Sequence, residues 1–163
     1  GVRLSVDLQR RLIEADDHCC AYCQTRTANS GQPLTVDHIV PVSQGGVTQF
    51  ENLCFACRQC NEFKGAQYSS VDPLTGERTP LFNPRRELWE THFSWDDSHT
   101  RVVGLTAVGR ATVIALNMNN EVVVQARHRW VAVGWHPPRQ SPPFYRFTRS
   151  ARMPLNAPGR RRA

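Results

Sequence analysis

No apolar run in the sequence approaches the roughly 20 residues that a membrane-crossing helix needs, so a helical membrane protein is not expected. No charged-then-apolar segment opens the chain, so nothing marks it for export and a cytoplasmic location is expected. Gly1 in place of Met leaves the natural start open. There is no internal repeat. Lysine is nearly absent: nineteen of the twenty basic residues are arginine, and the exception is Lys64. Acid is missing altogether beyond Glu121.

The 163 residues suit one domain, or a small domain with an extension. With 40% hydrophobic and 21% charged residues the composition is that of a soluble globular chain. The net charge of +6 is unevenly spread. Residues 1–121 carry 11 basic and 14 acidic residues, whereas residues 122–163 carry 9 arginines and no acid. A basic arm suggests a polyanionic partner, and a solvated tail is the plainer alternative.

Six cysteines are present. Cys20-x-x-Cys23 and Cys57-x-x-Cys60 have the spacing of a closed four-thiolate zinc site, and without an export signal metal ligation accounts for them better than disulfides. Cys54-x-x-Cys57 is a competing register and Cys19 precedes Cys20. Four ligands suffice, so Cys19 and Cys54 are expected to be bystanders.

The segment between the pairs holds Asp37-His38, and Asn61-x-x-Lys64 follows the second pair. An acid, an imidazole and amides can bind a hard cation and activate water. Ser5 to Asp16 reads as an amphipathic helix with Leu8, Leu12 and Ala15 on one face. Residues 24–33 are turn formers. Leu34 to Val40 alternates as a strand, Ser43-Gln44-Gly45-Gly46 is a turn, and a hairpin partner is expected near Val47. A short helix is expected from Asn61 to about Gln67, with Asn61 also suited to cap it. Residues 69–80 read as an exposed loop. Strands are expected over 92–95 and 101–106, and helices over 109–116 and 121–133. Val122, Ala126, Trp130 and Val133 share one face of the last helix. Trp89, Trp95, Trp130 and Trp135 are read as core of this region rather than as platforms for bases. The remainder, 137–163, rich in proline and arginine, reads as disordered.

The pattern Cys-x-x-Cys, Asp-His-Ile-x-Pro-x-Ser-x-Gly-Gly, Glu-Asn-Leu and Cys-x-x-Cys-Asn-x-x-Lys, from Cys20 to Lys64, resembles HNH endonucleases of ββα-metal fold. The sequence after residue 80 resembles extensions found in a bacterial branch of these proteins. The last histidine of the family's name is Asn61 here, and an amide oxygen would favour Mg²⁺ or Mn²⁺.

The resemblance implies an α+β chain: an HNH core over 1–68 stapled by structural Zn²⁺ at Cys20, Cys23, Cys57 and Cys60, a loop over 69–80, an α+β extension over 81–136 packed on the core, and the tail over 137–163. It implies hydrolysis of DNA phosphodiester bonds, a reaction whose barrier must fall by roughly 20 kcal/mol or more. His38 is then the general base, Asp37 and Asn61 ligate one divalent ion at the leaving 3′ oxygen, and Asn52 orients the loop or the base. Lys64, Arg58, Arg160, Arg161 and Arg162 are candidate contacts to DNA, expected to be double-stranded; cutting both strands with one active site would favour a homodimer or two successive nicks. The alternatives are a catalytically silent, zinc-stapled nucleic-acid-binding module, and a thiol redox protein without zinc.

Overall fold

Ser5 starts the first helix by accepting the Leu8 amide on its Oγ at 3.2 Å, which satisfies one of the free amides of helix α1, Val6–Asp16. Leu12 is its buried residue, with Leu8 and Ala15 partly covered beside it. The computed structural model describes residues 3–139. The Arg160, Arg161 and Arg162 contacts therefore lie outside the described residues, as does the 137–163 tail apart from 137–139.

After α1 come the first cysteine knuckle and a short helix α2, Thr27–Ser30, inside the stretch expected to be loop. Strand β1, Thr35–His38, pairs antiparallel with β2, Leu53–Ala56, with His38 opposite Leu53 and Asp37 opposite Cys54. The partner strand thus begins six residues later than Val47. Residues 42–44 and 50–52 are single 3₁₀ turns instead, and the glycines between them explain the detour. Gly45 sits at φ +85°, and a Cβ on Gly46 would lie 1.8 Å from the Val40 carbonyl oxygen, so the chain doubles back against β1 before pairing.

Helix α3, Arg58–Lys64, begins three residues earlier than expected. Its cap is the Cys57 sulfur, which accepts the Cys60 amide at 3.4 Å, so Asn61 lies within the helix and does not cap it. The expected loop over 69–80 contains a hairpin, β3 (Ser69–Val71) with β4 (Arg78–Pro80). Asp72 closes its turn by accepting from the Leu74 amide and the Thr75 hydroxyl. A short helix α4, Trp89–His92, precedes the hairpin of β5, Phe93–Trp95, and β6, Val102–Gly104. Helices α5, Ala107–Ala115, and α6, Glu121–Ala132, complete the described chain.

One buried cluster runs from Cys20 through Leu81, Phe82, Trp89 and Phe93 to Leu116 and Met118, so the later elements share a core with the knuckles. Arg85 ties the two regions at the surface of that core, with Nη1 and Nη2 on the Asp16 carboxylate at 2.7 and 2.8 Å. Helix α6 departs from its expected orientation. Val122 is 79% and Val133 60% exposed, while Val124 and Arg127 are buried. Trp89 is buried as expected and Trp135 is exposed. Among the described residues no helix is long and apolar enough to cross a membrane.

Candidate metal centre and catalytic strand

Two knuckles converge because β1, β2 and α3 bring residues 34 positions apart into contact. Each CxxC turn points an amide at its own first sulfur: the Cys23 amide at Cys20 Sγ (3.5 Å) and the Cys60 amide at Cys57 Sγ (3.4 Å). The ligand atoms of Cys20, Cys23, Cys57 and Cys60 lie within 4.8 Å of one another, a group that could hold a metal ion. Cys23 Sγ and Cys57 Sγ are 3.7 Å apart, and sulfurs about 2.3 Å from a tetrahedral ion stand about 3.8 Å apart. The set therefore fits a tetrahedral four-sulfur ion.

Burial pushes the Cys20 thiol up, and hydrogen bonds from its sulfur neighbours push Cys60 up and draw Cys23 well below the ordinary range. The two remaining cysteines stand outside the group. Cys54 is fully buried with its thiol pushed up by burial and by Asp37, and Cys19 bridges to Arg26.

On β1 the alternation of a strand sends Asp37 and His38 to opposite faces. Asp37 is buried at 4% exposure. Its Oδ2 accepts from Tyr22 Oη at 2.7 Å and its Oδ1 from Lys64 Nζ at 3.1 Å. Burial raises the Asp37 carboxyl above its usual range, against the opposing pull of Lys64 and Tyr22. Lys64 is itself 1% exposed and donates a second bond to the His38 carbonyl at 2.8 Å. The ammonium expected on phosphate is therefore turned inward, because the buried carboxylate is its partner.

Asn61, one turn before Lys64 on α3, donates from Nδ2 to Thr35 Oγ1 at 2.9 Å. Thr35 and Asp37 lie two residues apart on one strand face, so Asn61 and Lys64 dock side by side against that face. The carboxylate holds a cation and a hydroxyl. In the structure Asp37 forms a carboxylate–ammonium pair with Lys64, and the Asn61 amide lies beside it on Thr35.

His38 faces outward, partly exposed, with Nε2 2.9 Å from Thr48 Oγ1. Nδ1 has no hydrogen-bond partner among the described residues. Asn52 holds the intervening loop: its Oδ1 accepts from the Val40 amide at 2.8 Å, and its Nδ2 donates to the Val40 and Val47 carbonyls at 2.9 and 3.0 Å. Thr48, the partner of His38, follows Val47 directly. Arg58 projects from the first turn of α3, exposed and paired with Glu62 at 2.7 Å. Sequence reasoning missed Tyr22, Thr35 and Thr48, which no spacing rule singles out, although Tyr22 lies inside the first CxxC.

Residues 20–67 match the family model described as HNH endonuclease, so this stretch is an HNH domain. The Septu protein PtuB of Bacillus thuringiensis is 26% identical over 110 residues, covering 66% of this chain and 39% of that protein. The chain thus spans well under half the length of that relative. No solved structure matches the chain.

Proposed function

We propose that this HNH domain is an endonuclease that hydrolyses DNA phosphodiester bonds, with His38 as general base. The observation that supports it is the His38 imidazole: partly exposed, anchored through Nε2 to Thr48, with no partner on Nδ1 among the described residues. In the tautomer that donates Nε2–H to Thr48, Nδ1 keeps its lone pair and can take the proton of an attacking water. The backbone beside it is fixed by Lys64 on the His38 carbonyl and by the Asn52 bonds to Val40.

Zinc is assigned to the four cysteines, since thiolate ligands select it and a closed four-sulfur set leaves no position for substrate. Its role is to hold the ends of the segment that carries His38. Mg²⁺ or Mn²⁺ dependence remains part of the proposal as the activity to be tested, with no step assigned to that ion. Arg58 and the exposed side of α3 form the surface offered to the phosphate backbone of duplex DNA. A homodimer is the arrangement proposed if both strands are cut.

A second reading has an observation in its favour. Asp37 is committed to Tyr22 and Lys64 in the structure, which suits a silent nucleic-acid-binding module. Plasmid nicking with Mg²⁺ or Mn²⁺, and with EDTA, decides between them when wild type is run beside His38→Ala after zinc content is measured in both. Metal-dependent nicking lost in a folded His38→Ala protein that still binds DNA supports the nuclease. Absence of nicking by zinc-loaded wild type on every DNA form supports the silent module. Absence of zinc in either would return the thiol redox reading.

A further inference from the structure

Helix α6 buries a cation that its surroundings do not balance. Arg127 is 0% exposed, and its Nη1 donates to the Thr100 and Met118 carbonyls at 3.0 Å each. The guanidinium lies 5.1 Å over the Trp95 ring. Its Nε and Nη2 have no hydrogen-bond partner, and it forms no ion pair with a carboxylate among the described residues. Arginine does not shed its proton in proteins, so this site holds a full positive charge away from water. The nearby acids are committed elsewhere: Asp96 to Ser98 and the Thr100 and Arg101 amides, Glu121 to Arg101. His136, buried against Trp95, has its imidazole pushed down to about 4 by burial and by Arg127, so it adds no second charge at neutral pH.

The same core contains a site with the opposite difficulty. A divalent ion with four thiolates carries a net charge of −2, and Cys20, Cys23 and Cys60 are buried. A continuous path of contacts joins the two sites. The Tyr22 carbonyl, inside the first knuckle, accepts from Trp89 Nε1 at 2.8 Å; Trp89 packs on Trp95 at 5.5 Å; and Arg127 covers Trp95.

We propose that Arg127 is the charge partner of the zinc–thiolate centre at Cys20, Cys23, Cys57 and Cys60, which makes α6 an electrostatic part of the metal domain. The inference rests on the zinc assignment above. It gives the C-terminal extension a task beyond packing: supplying the cation that lets a dianionic centre stay dry. Hydrogen-bonded partners of metal ligands typically change metal affinity by about 10–100-fold, and the lower end of that range is the effect expected of a charge that acts without a direct bond.

The test uses the full zinc-loaded chain as wild type, Arg127→Gln and Arg127→Lys, with Arg101→Gln as an exposed-arginine control. Gln keeps donors for the Thr100 and Met118 carbonyls without charge; Lys keeps charge on a different shape. Zinc per chain is measured first, then zinc transfer to a competing chelator, with thermal melting in saturating zinc as the folding check. The expected result is at least about tenfold weaker zinc retention in Arg127→Gln, with Arg127→Lys and Arg101→Gln close to wild type. Equal retention in Arg127→Gln and wild type overturns the proposal. So does equal loss in Gln and Lys variants, which would mark a packing role. Should Arg127→Gln fail to fold, Arg127→Met is the neutral comparison with the same criteria. Wild type without zinc overturns the zinc assignment itself and this inference with it.

Discussion

Replacing Lys64 by Met tests whether its ammonium belongs to the interior or to DNA. In the structure it makes two bonds, to the Asp37 carboxylate at 3.1 Å and the His38 carbonyl at 2.8 Å, with both side chains of the ion pair at least 95% covered. Removing one partner of such a pair strands a charge in the core, a loss of about 3–5 kcal/mol. Against a total stability of about 5–15 kcal/mol, that lowers the melting point by roughly 10 °C. The pH dependence has a defined sign. Without Lys64 the carboxyl of Asp37, already raised by burial, loses its strongest opposing influence and rises further. The folded state then holds a proton that the unfolded state releases, so stability falls as pH climbs from the ordinary carboxylate range through the raised value. Urea unfolding of zinc-loaded Lys64→Met should therefore show a deficit that shrinks on acidification, and Asp37→Asn/Lys64→Met should recover most of it. DNA binding by fluorescence anisotropy completes the test. A Lys64→Met protein within about 1 kcal/mol of wild type that has lost DNA affinity would refute the interior pair and restore the phosphate contact.

Asn52→Ala removes three hydrogen bonds at 2.8–3.0 Å and strands the Val40 and Val47 groups, costing about 2–3 kcal/mol and slowing nicking through the loop that carries Thr48. A variant that melts like wild type would contradict this account of the loop. Asp72 is held well below the usual carboxylate range by its hydrogen bonds to Arg110, so its contribution is present above about pH 4 and disappears as pH falls toward its folded value. The urea midpoint gap between wild type and Asp72→Asn should thus narrow with acid, and a gap independent of pH would sink the ion-pair account. Stripping zinc with a chelator should abolish near-UV circular dichroism, since metal binding to such sites is worth about 10–16 kcal/mol of folding. An unchanged spectrum after verified zinc loss would show that the thiols alone hold the knuckles.

The cysteine quartet was legible because a closed metal site needs four ligands from two short turns, and that spacing is written locally. Helix α1 and strand β1 were legible for the same reason: a Ser5 cap and period-two alternation act within a few residues. The partners of strand β1 were not. Tyr22, Thr48 and Lys64 reach β1 from 15, 10 and 26 or more positions away, and only folding selects them. The hairpin over 69–80 was hidden by its prolines, which normally demote a strand. Here Pro73 lies in the turn and Pro80 at the end of an edge strand, where a missing amide costs little.

Helix α6 failed in the more instructive way. Its apolar residues at 122, 126, 130 and 133 form a clean helical stripe, and the rule that such a stripe faces the core assumes that charges face water. The structure turns the helix over, exposing Val122 and Val133 and burying Val124 with Arg127. There the Arg127 cation meets the Thr100 and Met118 carbonyls and the Trp95 ring, and a nearby anion would offset its charge further. Read alone, α6 carries no hint of such an anion; read beside the four cysteines, more than sixty residues earlier, the same arginine becomes the charge partner proposed above for a metal–thiolate centre. A local rule broken without local compensation is thus where coupling to the functional centre should be sought.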